Sequence, residues 1–204
     1  MDASFGLVTQ ILRGYTYEQV RTVASVLVGS KVRNVEITLN SDDPYTTLNK
    51  ISAEFSDSLH IGAGTVLTPD ALKRAADAGA TFVLSPTMMT KEMLDFCKES
   101  EILSIPGAFT PSEIRQCFLD GADIVKVFPA QEVSYTYAAK VLEPLGAYPL
   151  MAVGGVTASN VKEVFLGGYS YVGTAGGIFK KKDIIEMNVK ALKEELQVFE
   201  ENLG

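Results

Sequence analysis

Asp123-Ile124-Val125-Lys126-Val127-Phe128-Pro129 reads as a short interior strand with a lysine at its centre. Ile124, Val125, Val127 and Phe128 are β-branched or aromatic, and Pro129 stops the run. An unpaired ammonium is unfavourable in such surroundings. Removal from water lowers the basicity of a lysine and makes its amine a usable nucleophile toward carbonyls at neutral pH. A plainer reading stands beside it: a lysine at a strand end that snorkels into solvent.

The strand is one beat of a regular pattern. Short apolar runs recur at intervals of roughly twenty to twenty-five residues, each followed by an amphipathic stretch. They predict strands at Leu7–Leu12, Asn34–Leu39, His60–Gly64, Phe82–Ser85, Leu103–Pro106, Ile124–Phe128, Leu150–Val153 and Tyr169–Gly173. Helical patterns between them include Tyr17–Val28, Pro69–Ala78, Lys91–Glu99, Pro111–Asp120, Ser134–Glu143 and Ala158–Leu166, and a long last helix spans about Lys182–Glu201. Thr68-Pro69 and Thr110-Pro111 offer an N-cap followed by proline at the first helical position. Gly79, Gly121 and Gly167 stand where a left-handed residue ends a helix.

Strand and helix alternate without a break, which predicts an α/β fold, a compact (β/α)8 TIM barrel, with residues 1–204 as one domain. A doubly wound sheet is the competing fold, but its G-x-G-x-x-G fingerprint after the first strand is missing. At 204 residues, 47% hydrophobic and 21% charged, the chain can bury a full core. A net charge of -7 with no basic run argues against nucleic acid. No apolar run is long enough to cross a bilayer, and the N-terminus lacks a signal-peptide pattern. With Cys97 and Cys117 as a reduced thiol pair, the expectation is a soluble, cytoplasmic protein.

In a barrel, inward residues alternate with outward ones along each strand. On the second strand Val35, Ile37 and Leu39 form an outward apolar face, leaving Asn34, Glu36, Thr38 and Asn40 inside. On the sixth, Ile124, Lys126 and Phe128 share one face; if it is the inner one, Glu36 and Lys126 meet in one interior. A buried carboxylate and a buried amine offset part of each other's penalty, so a core ion pair without chemistry is the bland alternative. Ile61-Gly62-Ala63-Gly64-Thr65 ends the third strand with small residues that let backbone amides approach an anion. Gly154-Gly155 and Gly176-Gly177 follow the seventh and eighth strands, where barrels hold phosphate groups; each pair alone also fits a plain tight turn.

These blocks resemble the bacterial class I aldolases that cleave 2-keto-3-deoxy-6-phosphogluconate, its galactonate epimer and 4-hydroxy-2-oxoglutarate. The resemblance runs nearly end to end, through Ile11-Leu12-Arg13-Gly14, Val35 to Ser41, Ile61 to Leu67, Ser85-Pro86, Ile105-Pro106-Gly107, Thr110 to Glu113, Lys126 to Pro129 and Gly154-Gly155-Val156. It implies that Lys126 forms a Schiff base with the keto carbon and that Glu36 is the general acid/base. The substrate carboxylate would lie against Gly64-Thr65 and a guanidinium. Many members close the second strand with arginine where this chain has Asn40, so Arg13 supplies the positive clamp here; a rim salt bridge is its plainer role. Pro86 and Phe128 would wall the pocket, and Gly154, Gly155, Gly176 and Gly177 would hold the phosphate.

Two departures bear on the substrate. Val153 stands where a common family pattern has threonine, and Ala175-Gly176 where it often has Gly-Ser. Asn40-Ser41 and Ala152-Val153-Gly154-Gly155 resemble the galactonate-epimer enzymes. Thr87-Met88-Met89 matches no family pattern. The family further implies no cofactor or metal, a homotrimer, and a small phosphorylated keto acid as partner. A metal-dependent aldolase finds too few ligands, since the single histidine, His60, starts a strand at the wrong end of a barrel. Two rivals remain: a phosphosugar epimerase or isomerase on the same barrel, and a non-catalytic keto-acid or phosphate-binding protein.

Overall fold

The computed structural model describes residues 5–203. β1 (Val8–Leu12) leads to α1 (Tyr17–Leu27), β2 (Asn34–Thr38) to α2 (Pro44–Phe55), β3 (His60–Gly64) to α3 (Pro69–Asp77) and β4 (Phe82–Leu84) to α4 (Lys91–Glu99). β5 (Leu103–Ile105) and β6 (Gly107–Ala108) precede α5 (Pro111–Leu119). β7 (Val125–Val127) leads through a 3-10 turn, Ala130–Glu132, to α6 (Tyr137–Leu145). β8 (Leu150–Val153) with α7 (Val161–Leu166), then β9 (Tyr171–Thr174) with α8 (Lys181–Ile185) and α9 (Val189–Leu203), follow.

The strands form one sheet in the order β5-β4-β3-β2-β1-β9-β8-β7-β6, and every pairing is parallel. β5 and β6 lie at opposite edges of that order yet are separated in the chain by Pro106 alone. The sheet therefore closes on itself, and the expected fifth strand is one strand interrupted by a residue without an N–H. Its carbonyl still serves the ladder, accepting from Lys126 N–H at 2.9 Å, while Gly107 N–H donates to the Thr87 carbonyl at 3.0 Å. This is the TIM-like barrel that the strand–helix rhythm predicts.

Alternation sorts the side chains into two cores. The outer one packs Val35, Ile37, Val125 and Val127 against helix residues such as Val23, Leu27, Leu48 and Ile51. The inner one is small: Phe5, Ile11, Phe82, Leu84, Ile105, Ile124, Met151 and Val153. Each such burial contributes about 1.5–3 kcal/mol of transfer free energy. Phe5 seals the end where the strands begin, its ring 5.2 Å from Phe82, 5.7 Å from His60 and 5.8 Å from Tyr171. Both cysteines are free and buried; removal from water pushes the Cys97 thiol up to about 12 and that of Cys117 to about 11, so neither forms a thiolate readily.

The expected threonine caps at Thr68 and Thr110 are present, Thr16 and Thr90 cap two further helices, and full capping boxes run to Gln19 and Glu113. α2 is not among the helices named from the sequence: its N-cap Asp43 is left-handed (φ 41) and makes no side-chain cap, so the usual start signal is missing. The long last helix is two helices. Met187 turns left-handed (φ 52), and Asn188 accepts from Ala191 N–H to start α9. Gly79 and Gly121 are left-handed as expected, but the residue that turns after α7 is Gly168 (φ 100), not Gly167. Gly167 is glycine for another reason: a Cβ there would run into the Tyr135 carbonyl. Among the described residues, no helix is long and apolar enough to cross a membrane.

Candidate active site

Two ionisable residues sit inside the barrel wall. Glu36, in the middle of β2, is 2% exposed, and Lys126, in the middle of β7, is 5% exposed. Both share the interior face that alternation assigns them, with Ile124, just before β7, in the inner core. Burial raises the Glu36 carboxyl above its ordinary 4.5, against the pull of Lys126 and Arg13. Burial also lowers Lys126 below its ordinary 10.5; the Glu36 carboxylate opposes this and the Arg13 charge adds to it. The three charges thus act on one another, yet Glu36 and Lys126 are not among the ion pairs of the described residues. Glu36 Oε2 is buried without a hydrogen-bond partner. A stabilising core ion pair would close both gaps, so the arrangement suits chemistry better than structure. The Lys126 ammonium nitrogen lies 4.9 Å from the centre of the Phe128 ring.

Gly64, the last residue of β3, explains how Glu36 is accommodated. A Cβ on Gly64 would occupy the space of the Glu36 carboxylate. Thr65 follows in the left-handed region at φ 59, a conformation that costs a β-branched residue about 1–3 kcal/mol. Bonds on either side hold it: Leu39 N–H donates to the Gly64 carbonyl at 2.8 Å and Val66 N–H to the Leu84 carbonyl at 3.0 Å.

At the ends of β1 and β2, Arg13 donates through Nη1 to Asn40 Oδ1 at 3.0 Å. Gly14 N–H donates to Ser41 Oγ at 2.8 Å, and Ser41 Oγ lies 3.1 Å from Thr38 Oγ1. Asn40 and Ser41 therefore orient the Arg13-Gly14 segment, a relation the sequence reading did not contain.

Arg13 and Phe128 line a cavity of about 310 Å³ at the end of the barrel where the strands finish. Ile11 and Val153 form part of its wall, and the loops carrying Gly154-Gly155 and Gly176-Gly177 enclose it. The geometry thus unites six of the residues singled out in the sequence. Glu36, Lys126, Asn40, Gly64, Thr65 and Pro86 are not in its lining; Pro86 packs on Gly107, where a Cβ would meet the Pro86 carbonyl group. His60 lies at the opposite end, as expected, against Phe5. Among the described residues, no cluster of three or more His, Cys, Asp or Glu could hold a metal ion.

Among the described residues, the two glycine loops leave several backbone amides free at the cavity wall. Gly154 and Gly155 both have positive φ, at 106 and 74, the kind of turn that presents successive amides. Among the described residues, the N–H groups of Gly155, Val156 and Gly176 donate to no acceptor in the protein. The Gly177 N–H is engaged, donating to Thr174 Oγ1 at 2.9 Å, so Gly177 contributes shape rather than a free amide. Asn160 braces the first loop, accepting from Thr157 N–H and donating to the Gly155 carbonyl, each at 2.8 Å. Thr174 and Asn160 escaped the sequence reading. Their only local signals are a hydroxyl at an outward strand position and an asparagine three residues after Thr157.

Residues 6–194 match the family model for KDPG and KHG aldolases. The chain is 31% identical over 172 residues to the probable 2-dehydro-3-deoxy-6-phosphogalactonate aldolase of Rhizobium meliloti (strain 1021), covering 83% of this chain and 80% of the relative. It is 34% identical over 144 residues to the 2-dehydro-3-deoxy-phosphogluconate aldolase of Pseudomonas aeruginosa, covering 69% of this chain and 64% of that enzyme. A solved KDPG aldolase from Legionella pneumophila, with pyruvate captured at low pH as a covalent carbinolamine intermediate, superposes with a TM-score of 0.86 at 26% identity. That superposition covers 96% of this chain and 94% of the other. A buried lysine and carboxylate in one barrel, beneath a glycine-walled mouth, are thus found on a chain that belongs to the KDPG and KHG aldolase family.

Proposed function

We propose that the protein is a class I aldolase that cleaves a 2-keto-3-deoxy-6-phospho sugar acid to pyruvate and glyceraldehyde 3-phosphate. The observation that carries this reading is Lys126, an amine of lowered basicity inside a barrel that also buries Glu36. The neutral amine adds to the keto carbon, and loss of water gives a protonated imine. Glu36 takes the C4 hydroxyl proton through a water, and the C3–C4 bonding pair moves into the imine as an enamine. Glyceraldehyde 3-phosphate leaves, the enamine takes a proton at carbon, and water releases pyruvate from Lys126. Burial raises this carboxyl above the ordinary carboxylate range, which makes it a stronger base for taking up the hydroxyl proton.

Arg13, held by Asn40, binds the substrate carboxylate together with the Gly64-Thr65 turn, and the loops at Gly154-Gly155 and Gly176-Gly177 receive the phosphate. The galactonate epimer is the finer reading, supported by Asn40-Ser41 and Ala152-Val153-Gly154-Gly155, the blocks shared with enzymes for that acid. Glyoxylate is the alternative aldehyde product, from 4-hydroxy-2-oxoglutarate. The family resemblance supports a homotrimer that works without a cofactor.

Pyruvate release, followed from each epimer and from 4-hydroxy-2-oxoglutarate, tests the reading. Turnover with kcat/KM highest for the galactonate acid is expected. Cleavage of none of the three would overturn it and favour an isomerase or a binding protein.

A further inference from the structure

Thr174 ends β9 on the outer side of the barrel wall and is 4% exposed. Its hydroxyl donates to the Val156 carbonyl at 2.7 Å and accepts from the Gly177 N–H at 2.9 Å. It therefore ties the loop after β8 to the loop after β9, beyond the last strand pairing of Val153 with Gly173. The approach is tight: a Cβ on Gly177 would run into both the Val156 carbonyl and the Thr174 hydroxyl.

A hydroxyl has one proton to give, and that of Thr174 is committed to Val156. A phosphate at neutral pH chiefly needs donors, so Thr174 does not serve it directly. The tie acts on backbone groups instead. It turns the Val156 carbonyl and the Gly177 amide toward the hydroxyl, while the amides of Gly155, Val156 and Gly176 stay uncommitted in the cavity wall. Asn160 restrains the first loop internally; among the described residues, Thr174 is the side chain that joins the two loops by hydrogen bonds.

We propose that Thr174 is a positioning residue whose hydroxyl sets the spacing of the two anion-binding loops, and so the affinity for the phosphorylated end of the substrate. The inference rests on the aldolase reading above. Fixed amides bind an anion better than mobile ones, because less order is lost on binding.

Condensation of pyruvate with glyceraldehyde 3-phosphate, or with unphosphorylated glyceraldehyde, separates the possibilities. Thr174→Val keeps the shape and removes both hydrogen bonds. It should raise the KM for the phosphorylated aldehyde about tenfold, the scale of one lost hydrogen bond. kcat, and kinetics with plain glyceraldehyde, should change less than about twofold, because those interactions are untouched. Thr174→Ser should restore the parent values. If Thr174→Val does not fold, Thr174→Ala removes the same bonds without added bulk and carries the same expectation. Equal losses with both aldehydes, or no change with either, would overturn the proposal while borohydride trapping of pyruvate on Lys126 persists. No trapped pyruvate in the unaltered protein would instead overturn the aldolase reading.

Discussion

The two ends of the barrel are built from the same strands on opposite principles. Where the strands begin, Phe5, Phe82 and Tyr171 fill the interior with rings that meet edge-on or tilted, and the buried polar side chains Asn34 and Thr9 are hydrogen-bonded to each other. Further along, the same faces carry Glu36, Lys126 and Gly64, then Arg13 and the glycine loops. β7 and its flanking residues show the change within five residues: Ile124 belongs to the inner core, Lys126 is a buried amine, and the Phe128 ring opens to the mouth at 38% exposure. Burial free energy selects the residues at the first end. At the second it is opposed, by two buried ionisable groups and by Thr65 in a left-handed conformation. Such local conflicts persist only where the rest of the fold over-determines them, and they fall at the end where the proposed chemistry lies.

The largest expected effect is at Lys126. Lys126→Ala should lower turnover at least ~10⁴-fold while the circular dichroism spectrum and melting behaviour stay those of a folded barrel. Phe82→Ala is its mirror image at the other end. Loss of a ring that is 0% exposed should reduce unfolding free energy by about 3–5 kcal/mol in denaturant titrations. The activity per folded molecule should be retained. If Phe82→Ala abolished activity at temperatures where the protein stays folded, the separation of the two ends would fail.

Gly64→Ala sharpens the comparison from the functional side. Its methyl group would displace the Glu36 carboxylate, and a shift of about an ångström in a reacting group can slow catalysis about 10²-fold. Imine formation at Lys126 should be slowed less than carbon–carbon cleavage, which single-turnover kinetics resolves. Unchanged cleavage would mean that Glu36 has no proton to move.

The smallest effects are in pH dependence. Imine formation requires the neutral amine, so its rate should rise to a plateau with an inflection below 10.5. The Glu36 carboxylate favours the ammonium, so Glu36→Gln should move that inflection further down. Arg13 disfavours it, so Arg13→Ala should move the inflection up. Shifts in the same direction would contradict the electrostatic account of the site.

What was legible in the sequence follows from range. The strand–helix rhythm and the inward placement of Glu36 and Lys126 are properties of local periodicity, which the closed sheet preserves. The fit of Gly64 against Glu36, the bond from Arg13 to Asn40 and the bridge from Thr174 to Val156 join residues distant in the chain, where local pattern carries no signal. The break between α8 and α9 was hidden for a different reason: a methionine adopts the left-handed turn, and composition does not reveal that. In the same way, Gly167 and Gly168 look interchangeable as letters, yet one makes room for the Tyr135 carbonyl and the other turns the chain.

The central claim is that Lys126 forms a covalent imine with a keto acid. Borohydride reduction in the presence of pyruvate, followed by peptide mass spectrometry, tests it most directly. The account predicts one reduced pyruvate adduct, on the peptide containing Lys126 and absent from Lys126→Ala. Pyruvate that binds without forming an adduct, or an adduct on another lysine, would contradict it.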